Sequence, residues 1–235
     1  MVKLVAMSAA KRLKTTPQLS ELSASAQNYL KVIWAAGEWS DASITASELA
    51  KKLELRKSTV SEGLKKLVEQ GLVREGSLEL TDVGATYAVA MIRRHRLLET
   101  FLVAQLGYTW DQVHDEAEHL EHAVSDFMID RIDQVLGYPT KDPHGDPIPT
   151  AAGKVIDSAA QPLSGVTAGQ FVVERISDTD PQLLQYLHSH GVKVGCELAV
   201  QPGPPFSDSL QIAAEGAEFA LGKRAADAIF VTNKN

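Results

Sequence analysis

Residues 113–126 read VHDEAEHLEHAVSD, three histidines and five acidic residues in fourteen positions. Imidazole nitrogens and carboxylate oxygens are the donors that divalent transition ions take. On a helix, positions three, four, seven and eight apart share a face. His114, Glu118, Glu121 and His122 are therefore expected to project to one side, and Asp115, His119 and Asp126 to a neighbouring one. Upstream, His95 and Glu99 are four apart and stack as well. Two helices folded back on each other would gather His95, Glu99, His114, Glu118, Glu121 and His122. Crowded carboxylates repel and raise one another's pKa unless solvated or neutralised. Two readings follow: a divalent cation does the neutralising, or this is a solvated, charged helix side. For the first, a donor set of oxygen and imidazole without thiolate suits Mn or Fe better than structural Zn.

The elements that must position these residues are legible from periodicity. Thr81–Gly107 and Thr109–Gly137 read as two long helices. Before them, Tyr29, Leu30, Ile33 and Trp34 repeat at helical spacing, and GEWSDASI breaks that helix. TASELAKKLEL is a short helix that Thr45 or Ser47 can cap. RKSTVSEGLKKLVEQGLV is another, with Val60, Leu64, Leu67 and Val68 as its inner stripe and Gly71 as its stop. Two short apolar runs around Glu75-Gly76-Ser77 read as a small hairpin. Helix, short helix, turn, helix and hairpin make a winged helix-turn-helix, whose second helix of the pair enters the DNA major groove. Its outward residues are Lys57, Ser58, Thr59, Ser61, Glu62 and Lys65, where hydroxyls reach base edges or phosphates and lysines hold the backbone. YPTKDPHGDPIPTAAG, with four prolines in sixteen residues, cannot continue a helix and reads as a linker or a structured loop. After it, GQFVVERI, CELAVQ, LQIAAE and AIFVT look like short strands of a small barrel, with DPQLLQYLHSH a helical insertion. The fold class is mainly α with a C-terminal β part.

Bulk properties agree. The 235-residue chain has 44% hydrophobic and 23% charged residues, as a globular protein does. No apolar run approaches the ~18 residues of a membrane span, and the basic N-terminus lacks the apolar stretch of a secretory signal. The single cysteine, Cys196, excludes an internal disulfide framework and fits a reducing cytoplasm. Net charge is −7, yet residues 1–75 carry 12 Lys/Arg against 8 Asp/Glu, whereas 76–235 carry 11 against 22. A basic front on an acidic chain points to a local polyanion partner.

The stretches YLKVIW, STVSEGLKKLVEQGLV, LTDVG, RRHRLLETFL, VHDEAEHLEHAVSD and DPHGDPIP resemble the diphtheria toxin repressor family of metal-dependent transcriptional regulators, in its manganese-responsive branch. The resemblance is strong over residues 22–150. It implies a homodimer that binds a palindromic double-stranded DNA operator when metal is present and controls metal-uptake genes. It also implies a winged helix-turn-helix domain over 21–90 behind a flexible N-terminus (1–20). A helical dimerisation and metal-binding domain would span 91–140, a proline-rich linker 141–165 and an SH3-like small barrel 166–235. One implied metal site uses Asn28, Glu118, Glu121 and His122. A second uses His95, Glu99 and His114, completed from SDTDPQ by Asp180 and Gln182. Iron-responsive relatives have Cys where this chain has Glu118, so Glu118 points to Mn(II), with Fe(II), Co(II) or Zn(II) as substitutes. Asn28 departs from the pattern, standing where the manganese branch has Asp. Lys31 stands where shorter manganese-type relatives have an acidic ligand, so their two-metal arrangement is not expected.

No membrane or small organic substrate is implied, and no enzyme. A ferritin-like carboxylate enzyme needs Glu-x-x-His from two helices, and only Glu116/His119 supplies it. The remaining alternatives are a winged-helix regulator sensing an organic ligand or protein partner, with the His/Glu cluster structural, and a partner-binding role for the barrel. Cys196, His144, His188, His190 and the three tryptophans are read as packing or surface residues.

Overall fold

The computed structural model describes residues 18–39, 43–156 and 158–234. The expected flexible N-terminus lies mostly outside them. Two compact units divide the chain, the first comprising residues 1–93 and 149–154, the second 94–148 and 155–235.

The first unit is the helix-turn-helix. Helix α1 (Ala24–Glu38) starts where the Ser23 hydroxyl accepts the Ala26 N–H, and it buries Tyr29, Leu30 and Ile33. Helix α2 (Ala46–Lys52) opens with a capping box: Thr45 Oγ1 accepts the Glu48 N–H and Glu48 Oε2 accepts the Thr45 N–H. Helix α3 (Lys57–Glu69) buries Val60 and Leu67, one stripe seven residues apart, against Leu30, Leu49 and Ala50. The close approach of α1 and α3 requires Gly63, since a Cβ there would lie 2.6 Å from the Tyr29 hydroxyl. At the end of α3, Gly71 takes φ +72. Its N–H reaches Val68 O, and the Leu72 N–H reaches Leu67 O, a Schellman stop. The hairpin that follows is short, a single antiparallel bridge between Val73 and Leu80.

Helix α4 (Asp82–Leu106) runs through both units. The second long helix expected from the sequence is two helices, α5 (Val113–Leu120) and α6 (Asp126–Val135). Arg94 holds the break, and its residue is only 6% exposed. Its guanidinium donates to the carbonyls of Glu121 and Val124 and pairs with Asp126, while the Ser125 hydroxyl caps α6 by accepting the Met128 N–H. Asp126 therefore does not share a helix face with His119. Leu97, Leu98, Leu102, Val113, Ala117, Ile129 and Ile132 form the core between these helices.

The proline-rich segment is a structured loop over residues 142–148. Asp142, His144, Asp146 and Ile148 are buried, and Gly145, at φ +91, sits where a Cβ would stand 2.0 Å from Glu174 O. The C-terminal part is a six-stranded antiparallel sheet in the order β1-β6-β2-β3-β4-β5. Its strands are β1 (Gln161–Pro162), β2 (Gly169–Ile176), β3 (Glu197–Pro202), β4 (Ser209–Ala214), β5 (Ala217–Gly222) and β6 (Ile229–Asn233). Alternate residues such as Phe171, Val173, Leu198, Val200, Ile212 and Val231 fill its core. Helix α7 (Pro181–Ser189) inserts between β2 and β3, and a short α8 (Lys223–Ala226) lies between β5 and β6. A bulge between Val173 and Arg175 shifts the register. Arg175 is buried, and its Nε donates to Asp146 Oδ1 at 2.7 Å.

Candidate metal centre

The second unit brings four donors together: His95 and Glu99 from α4, His114 from α5, and Asp178 from the turn between β2 and α7. His95 Nε2 lies 3.0 Å from Glu99 Oε1 and 3.3 Å from His114 Nδ1. His114 Nδ1 lies 3.3 Å from Glu99 Oε1 and 3.0 Å from Asp178 Oδ2. Neighbouring donors around a divalent ion with bonds of about 2.1 Å stand about 3.0 Å apart in an octahedron and about 3.4 Å in a tetrahedron. The four separations fall in that range and all four atoms lie within 4.8 Å of one another, so the arrangement can accept one cation.

The electrostatics agree. Burial raises the Glu99 acid, but the His95 charge and hydrogen bonds from His114 and His95 outweigh it and hold Glu99 below the usual carboxylate range. Burial acts the same way on Asp178, and the His114 hydrogen bond and charge again prevail. His114 is pushed up to about 11: desolvation lowers it, and the hydrogen bonds and charges of Asp178 and Glu99 raise it further. In the metal-free protein, protons on imidazole supply the positive charge that these carboxylates require.

A second donor group adjoins the first through Glu99. Glu99, Asp142 and His144 each offer an atom within 4.8 Å of the others. His144, expected to be structural, is fully buried. Its Nε2 lies 2.7 Å from Trp110 O, whereas its Nδ1 has no hydrogen-bond partner and stands 3.9 Å from Glu99 Oε2. Burial, then the charges of Asp146 and Glu99, push the Asp142 acid well above its ordinary range despite Arg96.

Of the residues expected to complete the His95 set, Asp180 and Gln182 stand elsewhere. Asp180 Oδ1 caps α7, accepting from the N–H groups of Gln182 and Leu183, and Gln182 is exposed. The signal was present in the sequence: an Asp directly before Pro reads as an N-cap ahead of proline at the first helical position. Asp178 is the carboxylate of SDTDPQ that faces the imidazoles, 3.0 Å from His114 Nδ1.

The other expected set is divided between the units. Glu118, Glu121 and His122 belong to the second, where His122 Nε2 lies 3.5 Å from Glu121 Oε1 and Glu118 Oε1 lies 3.8 Å from His114 Nε2. Asn28 belongs to the first, and its Oδ1 is buried with no hydrogen-bond partner. Lys57, Ser58, Thr59, Ser61, Glu62 and Lys65 are all exposed along α3.

A helix-turn-helix unit in a chain that also carries a carboxylate–imidazole centre defines a metal-dependent transcriptional regulator. Comparison with known proteins specifies which. Residues 21–76 match the model of the iron dependent repressor N-terminal DNA binding domain. Residues 81–150 match the iron dependent repressor metal binding and dimerisation domain, and 161–233 the FeoA domain. The diphtheria toxin repressor of Corynebacterium efficiens is 31% identical over 196 residues, 77% of this chain and 85% of that protein. The iron-dependent repressor IdeR of Mycobacterium tuberculosis is 36% identical over 134 residues, 56% of this chain and 58% of the relative. Among solved structures, a manganese-dependent transcriptional repressor in complex with manganese is 50% identical with TM-score 0.84, covering 88% of this chain and 99% of its own. The manganese regulator SloR is 35% identical with TM-score 0.76, covering 89% and 98%. The chain belongs to the diphtheria toxin repressor family of metal-dependent transcriptional repressors, in its manganese-responsive branch.

Proposed function

We propose that this repressor is activated by Mn(II), with Fe(II), Co(II) or Zn(II) able to substitute, and that as a homodimer it binds palindromic operators of metal-uptake genes. The observation that carries the reading is the spacing of His95, Glu99, His114 and Asp178, four hard or borderline donors without a thiolate. This is the second ligand set, with Asp178 in the place first given to Asp180 and Gln182.

The first set is Asn28, Glu118, Glu121 and His122. Its support is the family resemblance together with the buried, unpartnered Asn28 Oδ1, an oxygen that a cation would satisfy. Two recognition helices must stand about 34 Å apart to enter successive major grooves. Ligands that select this spacing shift a population according to their differential affinity.

Support for the homodimer comes from α6, where Phe127, Met128 and Val135 are exposed; Val135 follows Met128 by seven residues and Phe127 by eight, on the same side of the helix. On α3, Lys57 and Lys65 would hold phosphates, while Ser58, Thr59, Ser61 and Glu62 would reach base edges.

Equilibrium dialysis tests the metal reading. Two Mn(II) per chain are expected, and one in each of His95→Ala and Glu118→Ala. A chain that binds none, or variants that still bind two, would refute it.

A further inference from the structure

Glu121 is fully buried, and two consecutive residues of α4 hold it by different parts. Arg94 donates to its carbonyl at 3.0 Å. His95 Nδ1 lies 2.6 Å from its Oε2. The other carboxylate oxygen, Oε1, lies 3.5 Å from His122 Nε2. The second nitrogen of His95, Nε2, faces Glu99 and His114.

An imidazole that binds metal gives one nitrogen to the ion and donates the N–H of the other to an acceptor, which fixes its tautomer and ring orientation. The geometry around His95 divides the two nitrogens in this way: Nε2 belongs with the quartet and Nδ1–H with Glu121.

We propose that Glu121 is a positioning residue for His95 and thereby joins the two ligand sets. The carboxylate that serves the first set through Oε1 orients a ligand of the second set through Oε2. Filling the first set immobilises Glu121, so the second then binds with His95 already in place. By linkage the effect is reciprocal, and the two sets load with positive cooperativity. This rests on the reading of both sets as metal sites.

The test uses the full chain and Mn(II) titration followed by electron paramagnetic resonance of the free ion. In a Glu118→Ala/His122→Ala background the first set is disabled while Glu121 is intact, and one Mn(II) per chain is expected at the quartet. Adding Glu121→Ala lowers that affinity by about 10–100-fold, whereas Glu121→Gln, which keeps an acceptor oxygen, stays within about threefold of the background. In the wild-type protein loaded with diamagnetic Zn(II), nitrogen-15 spectra place the His95 proton on Nδ1. A background that binds no Mn(II) shows that the ligand-set reading has failed, and the proposal falls with it. One Mn(II) bound equally well by the background and its Glu121→Ala derivative overturns the positioning role alone, as does a His95 proton on Nε2.

Discussion

At the scale of single residues, the centre depends on which of several nearby carboxylates faces the imidazoles. Asp178 stands 3.0 Å from His114 Nδ1, while Asp180, two residues on, caps α7. Asp178→Asn is expected to weaken Mn(II) binding at the quartet by at least about tenfold. Asp180→Ala should leave that affinity unchanged and cost about 1 kcal/mol of stability, the loss of a cap. The reverse pattern in dialysis and urea unfolding would exchange their roles. Asn28 offers a neutral oxygen where the family resemblance implies an aspartate, so Asn28→Asp is expected to tighten Mn(II) binding and operator affinity together. Unchanged values for both would remove the idea that Asn28 loosens the link between metal and DNA. The pH dependence follows from His114. Its pKa is raised by Asp178 and Glu99 against the opposing desolvation, so the metal-free protein keeps a proton on it across neutral pH. Mn(II) must displace that proton, and affinity therefore rises with pH, about tenfold per unit for each proton released. Calorimetry in buffers of different ionisation enthalpy counts the protons, and an affinity flat from about pH 6 to 8 would contradict the argument. His95, Glu99 and His114 were legible from helical spacing. Asp178 was not, because it reaches the centre through tertiary folding from residues far along the chain.

At the scale of elements, the helices of the DNA-binding unit announce themselves through caps and stops that act locally, such as the Thr45/Glu48 box and Gly71. The strands announce themselves by alternation. Strand β5 was missed although Phe219 and Leu221 alternate with exposed neighbours, and β1, at two residues, has no pattern to read. The break between α5 and α6 was missed because apolar residues continue at helical spacing across it. Ser125 before Asp126 was its local sign, an N-cap followed by an acid in the first turn. The remaining cause is Arg94, which satisfies carbonyls that an unbroken helix would have bonded internally. Arg94→Ala leaves two carbonyls without their donor and is expected to cost about 2–4 kcal/mol in denaturant unfolding. A loss under about 0.5 kcal/mol would show that the break needs no such support.

At the scale of the whole molecule, the chain joins a DNA-reading unit to a unit that holds a buried cluster of acids and imidazoles. The basic front and acidic remainder noted in the composition correspond to this division of labour: α3 presents lysines and hydroxyls, while α4, α5 and the β2–α7 turn supply the centre. The order of the elements and the class of protein were readable because each depends on local pattern. Completion of the centre was not, since it needs the Asp142–Ile148 loop and the β2–α7 turn brought to α4.

The central claim is that metal at these residues switches DNA binding. It is tested most directly by titrating the protein onto a labelled palindromic operator duplex at fixed salt, which holds the phosphate contribution constant. Mn(II) is compared with chelator, for the wild-type chain and Glu118→Ala. The account predicts binding about 10–100-fold tighter with Mn(II) than with chelator, and loss of that difference in Glu118→Ala. Equal affinity with Mn(II) and with chelator would contradict it, leaving a winged-helix regulator whose acidic helix is structural.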